Sequence, residues 1–128
     1  MLKVVRAYKN YSVLGHMDLI KRYDQAGLYP FEKLEPFIAE ILKIVIADGK
    51  GIEVNTSARR YGLTDSMPSA RLLRLYRDLG GSIVTTGSDS HAPAHLGTYI
   101  QEAKEQLKEL GFQNFCTYEK MQPIFQPL

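Results

Sequence analysis

Ser82-Ile83-Val84-Thr85-Thr86-Gly87-Ser88-Asp89-Ser90-His91 begins as a β-branched apolar run and ends as a polar loop. The run reads as a buried strand. The loop then carries a carboxylate and an imidazole two residues apart, where the strand gives way. Gly87 lets the backbone bend there. An oxygen and a nitrogen donor on a rigid support suit a hard or borderline divalent metal. An Asp-x-His can equally be a polar turn. The segment therefore gains meaning only from what other strands bring beside it.

Two more units of the same kind precede this one. Ser12-Val13-Leu14-Gly15 reads as a strand ending at His16. A helix from about Phe31 to Asp48 follows, with Leu34, Phe37, Ile38, Ile41, Leu42 and Val45 forming one apolar stripe. Gly49 and Gly51 stop it. Gly51-Ile52-Glu53-Val54-Asn55 is the next strand, and Pro68 suits the first turn of a helix running to about Leu79. After the Asp89/His91 loop, a helix is expected from about Thr98 to Leu110, then a last strand, Phe115 to Tyr118, that begins a short tail. Strands alternating with helices predict an α/β fold with a parallel sheet. In such folds functional side chains gather at the carboxyl ends of the strands. His16, Asn55, Asp89 and His91 all fall there.

The chain of 128 residues suits one domain, residues 1–128. It is 45% hydrophobic and 23% charged, the balance of an ordinary globular protein. A net charge of +2 with no basic stripe gives no reason to expect nucleic acid. A single cysteine, Cys116, excludes an intrachain disulfide and points to a reducing compartment. It sits in an apolar run, where a small buried hydrophobe is expected. No segment has the length of a membrane span and no apolar leader opens the chain, so a cytoplasmic location without membrane contact is expected.

Three segments carry a resemblance: Val13-Leu14-Gly15-His16-Met17-Asp18-Leu19-Ile20-Lys21-Arg22-Tyr23, Ile52-Glu53-Val54-Asn55-Thr56-Ser57 and Gly87-Ser88-Asp89-Ser90-His91-Ala92-Pro93. In order and spacing they resemble the later motifs of the polymerase and histidinol phosphatase (PHP) superfamily, and within it those of the histidinol-phosphatases of the PHP type. The resemblance implies a distorted (βα)7 TIM-like barrel with up to three divalent metals, zinc, manganese or iron, at the carboxyl face. It implies His16, Asp89 and His91 as metal ligands, with Asp89 and His91 also catalytic. The implied reaction is hydrolysis of a small phosphorylated substrate, L-histidinol phosphate, in histidine biosynthesis. A different PHP phosphoesterase or nuclease is the alternative.

Phosphate monoesters hydrolyse extremely slowly unaided, and clustered metals answer that need by activating water and neutralising phosphate oxygens. Arginine adds a planar fork for phosphate. Arg22 follows His16 closely, and Arg59 and Arg60 follow Asn55-Thr56-Ser57; both loops leave one face of the sheet, so these are the phosphate candidates. Asn55, near the rim, is expected to touch substrate. Glu53 shares its side of the strand and is expected to find a structural partner rather than a metal. Asp18 reads as a helix cap, and His95 as surface or a neighbour of the ligands.

The superfamily also opens with a His-x-His pair that this chain lacks; its three histidines are His16, His91 and His95. A complete βα barrel needs ~250 residues. The expectation is therefore the C-terminal half of such a barrel, open at its sheet edges. Those edges would favour self-association or pairing with a missing N-terminal half, and the half alone could be inactive.

Overall fold

The structure, a computed structural model, describes residues 1–24 and 30–128. A short helix, α1 (Leu2–Ala7), precedes strand β1 (Val13–Leu14). Then follow α2 (Phe31–Ala47), β2 (Gly51–Asn55), α3 (Ala70–Asp78), β3 (Val84–Gly87) and α4 (Ile100–Glu109). Two further strands, β4 (Asn114–Glu119) and β5 (Gln122–Pro127), close the chain. Strands β1, β2 and β3 form a three-stranded parallel sheet in that order. The α/β class and the parallel sheet expected from the sequence are present. The structure holds three parallel strands, an open sheet rather than a closed barrel.

Strand β2 is central, and its alternation sets the two faces of the sheet. Ile52 and Val54 are fully buried and join Val84 in one core with Leu42 and Val45 of α2, Leu72, Leu73 and Tyr76 of α3, and Ala103 and Leu107 of α4. Period-two alternation sends Glu53 and Asn55 to the other face. There the Glu53 carboxylate lies across both neighbouring strands. A Cβ on Gly15 would stand 3.1 Å from Glu53 Oε2, and one on Gly87 would stand 2.6 Å from Oε1. The two glycines leave room for a carboxylate that side chains at those positions would displace.

Several elements depart from the sequence reading. Strand β1 is only two residues long. Helix α3 starts at Ala70 behind an Ser69 cap whose Oγ accepts the Leu72 N–H, so Pro68 lies ahead of the helix and not in its first turn. Asp18 stands at the N-cap position of the 3₁₀ segment Leu19–Arg22, but its side chain makes no capping bond there. Its Oδ2 accepts the Ser69 N–H at 3.1 Å, tying the loop after β1 to the start of α3. Phe37, placed on the apolar stripe of α2, is 61% exposed. The last strand is no tail: β4 turns back at Lys120 and Met121 and pairs antiparallel with β5 along its whole length.

Gly51 packs with no room to spare. A Cβ there would meet the Ile83 carbonyl oxygen and Cγ2 at 2.5 Å. Gly51→Ala is expected to cost about 1–3 kcal/mol by overpacking, read as a lowered midpoint in denaturant unfolding. An unchanged midpoint would contradict the close approach of β2 to Ile83.

Candidate metal centre

The loops after β1 and β3 carry the candidate ligands. His16 lies two residues beyond β1 with φ +53, and Asp89 two beyond β3 with φ +48. Left-handed backbone at non-glycine residues costs roughly 1–2 kcal/mol each, so other contacts must hold these turns.

Asn55, the last residue of β2, supplies the central contact. It is fully buried, and a buried amide must find partners. Its Oδ1 accepts the Ser57 N–H at 2.9 Å, which turns the chain into the 3₁₀ segment Thr56–Tyr61. That leaves Nδ2 facing His16 Nδ1 at 3.4 Å. Ser57, also fully buried, donates from Oγ to Asp89 Oδ2 at 3.4 Å. The other carboxylate oxygen, Oδ1, is 3.3 Å from His91 Nε2.

The electrostatics gather the same residues. Burial pushes the Asp89 carboxyl up, but the Asn55 amide, the His91 and His16 imidazoles and the Ser57 hydroxyl together pull it below the ordinary carboxylate range. His91 is 77% exposed at the rim and the Asp89 side chain 21%. His16, Asp89 and His91 are therefore drawn to one rim from two strands, bridged through Asn55 and Ser57. Imidazole and carboxylate donors fit a borderline divalent cation by chemistry. Among the described residues, however, no three His, Cys, Asp or Glu side chains form a group able to hold a metal ion. The chain presents a partial donor set.

The phosphate candidates divide sharply. Arg22 stacks on the Tyr61 ring, 3.2 Å from its centroid, and Arg59 lies 5.9 Å from that of Tyr99. Neither donates a hydrogen bond to a described residue. Arg60 is committed elsewhere: Nη1 donates to the Ser88 carbonyl at 2.7 Å and Nη2 to the Asp89 carbonyl at 2.8 Å. The expectation that Arg60 offers its fork to a phosphate does not fit this arrangement. Nor does the expectation that Asn55 touches substrate, because it is enclosed and its amide is used internally.

Sequence reasoning missed Ser57 and Thr98. The Asn-Thr-Ser run directly after an apolar strand was the available signal, since such residues bond to nearby backbone in turns. Thr56 Oγ1 donates to the Thr98 carbonyl at 2.6 Å, and Thr98 Oγ1 to the His95 carbonyl at 3.0 Å.

No protein-family model matches the chain. Individual relatives do. A probable histidinol-phosphatase of Thermotoga maritima is 33% identical over 104 residues, 80% of this chain and 42% of that protein. The histidinol-phosphatase of Lactococcus lactis is 30% identical over 125 residues, 94% of this chain and 45% of that protein. A probable histidinol-phosphatase of Schizosaccharomyces pombe is 32% identical over 112 residues, 84% of this chain and 36% of that protein. Among solved structures, the Lactococcus lactis histidinol phosphate phosphatase in complex with zinc, L-histidinol and phosphate superposes with a TM-score of 0.78 at 28% identity. That match covers 96% of this chain and 47% of the other. The chain spans less than half the length of each of these relatives, and sequence and fold together place it in the histidinol-phosphatase family.

Proposed function

We propose that the chain forms part of the active site of a metal-dependent phosphomonoesterase that converts L-histidinol phosphate to L-histidinol and phosphate. The carrying observation is the rim itself: His16, Asp89 and His91 drawn together around a buried Asn55 in a fold shared with a phosphatase solved with zinc, L-histidinol and phosphate. The named relatives favour this reading over a nuclease.

His16 would be a ligand to one divalent cation (zinc, manganese or iron) and Asp89 and His91 to neighbouring ones, each completed by ligands from outside this group, with Asp89 and His91 nearest the chemistry. A cation bound there supplies charge neutralisation at the phosphate oxygens and activation of water. Arg22 and Arg59 would bind the phosphate, Arg22 steadied by the Tyr61 ring. Asn55 would not meet substrate; it fixes the imidazole of His16 and lowers the Asp89 carboxyl so that it stays ionised.

The partial donor set and the open three-stranded sheet support placing the chain as the C-terminal portion of a (βα)7 barrel. In that reading the remaining ligands come from further strands, in another segment or a second chain, docked along the sheet edges. Among the described residues no helix is long and apolar enough to cross a membrane. A cytoplasmic setting follows from the biosynthetic role and the single buried thiol of Cys116.

Two measurements check these roles. Asn55→Ala is expected to weaken zinc affinity about 10–100-fold, measured by competition with a chromophoric chelator; unaltered affinity would remove Asn55 from the site. Arg22→Ala and Arg59→Ala are each expected to weaken binding of inorganic phosphate to the zinc-loaded protein while leaving zinc affinity unchanged. For the reaction, the whole enzyme that contains this chain is expected to release phosphate from L-histidinol phosphate, with added zinc or manganese, faster than its Asp89→Asn variant. Equal release would contradict the assignment.

A further inference from the structure

We propose that Arg60 is a positioning residue that braces the backbone on both sides of Asp89. Its guanidinium lies between two loops. Nη1 donates to the Ser88 carbonyl at 2.7 Å and to Thr98 Oγ1 at 3.3 Å, and Nη2 donates to the Asp89 carbonyl at 2.8 Å. Successive carbonyls of an extended chain point in opposite directions. One guanidinium can take both only where the chain has turned sharply between them, and Asp89, with φ +48, is that turn. The brace and the strained residue coincide.

The geometry explains why the turn persists. A left-handed aspartate is unfavourable, and two loop carbonyls facing inward would lack donors. Arg60 supplies those donors from a planar fork, which a lysine cannot reproduce with one ammonium. Thr56 adds a parallel tie through its 2.6 Å bond to the Thr98 carbonyl. The segment after β2 thus buckles the segment after β3 at both of its ends. With the backbone held, the Asp89 side chain projects to Ser57 on one oxygen and His91 on the other. The functional consequence rests on the reading of Asp89 as a metal ligand; the brace itself does not.

Backbone ¹⁵N relaxation on the 128-residue chain tests the brace directly. The wild-type amides of Asp89 and Ser90 are expected at order parameters near about 0.85, falling below about 0.6 in Arg60→Ala. Arg60→Lys, which keeps the charge and stem, is expected to fall between them and serves if Arg60→Ala does not fold. Arg74→Ala, which removes an exposed arginine of α3, is the control for lost charge and is expected to leave the loop rigid. Zinc affinity is expected to drop about 10–100-fold in Arg60→Ala. Unchanged loop order in both Arg60 variants would overturn the proposal. A loosened loop with unchanged zinc affinity would keep the brace and fault the reading of Asp89 as a metal ligand instead.

Discussion

A single buried amide organises this site. Asn55 ends the central strand with no access to solvent, so its carbonyl and amino groups must both be satisfied by protein. The carbonyl takes the Ser57 N–H, which forces the chain into a tight turn. The amino group is left facing His16, delivered by the neighbouring strand. Ser57, placed by the same turn, meets Asp89 from the third strand. The convergence of three loops thus follows from one polar residue placed where a strand runs out.

The charges around that amide are sorted by reach. Glu53 is held inside the bowl of the sheet by the bare backbones of Gly15 and Gly87. Asp89 is kept ionised at the rim. Three arginines approach from two loops, yet only one is spent on structure. Arg60 secures carbonyls, while Arg22 rests against the Tyr61 ring and Arg59 lies 5.9 Å from that of Tyr99, neither donating a hydrogen bond to a described residue. An arginine stacked on a ring keeps its in-plane donors available, the state a phosphate ligand needs before its anion arrives.

Much of this was legible in the sequence, for identifiable reasons. Strand β2 and helix α2 matched their expected limits closely, because a sharp apolar alternation and a long helical stripe each have a period that survives tertiary context. The strand-end positions of His16, Asp89 and His91 followed from the same parse. The β4–β5 hairpin was not legible: its turn puts Lys120 and Met121 at positive φ, where asparagine or glycine would have announced it. Nor could spacing show that Asn55 is enclosed rather than open to substrate, or that Arg60 turns back onto the Asp89 loop. The second outcome coincides with a left-handed residue at Asp89, which carries no periodic signal. Residue types were readable; the division of labour among like residues was not.

The central claim is that His16 and His91, from different strands, serve one metal centre. Titration of the chain with manganese, followed through the imidazole resonances of its three histidines, tests it most directly. The account predicts that His16 and His91 broaden together with a common midpoint, ahead of His95. Broadening of His91 without His16, or of all three histidines in parallel, would contradict it.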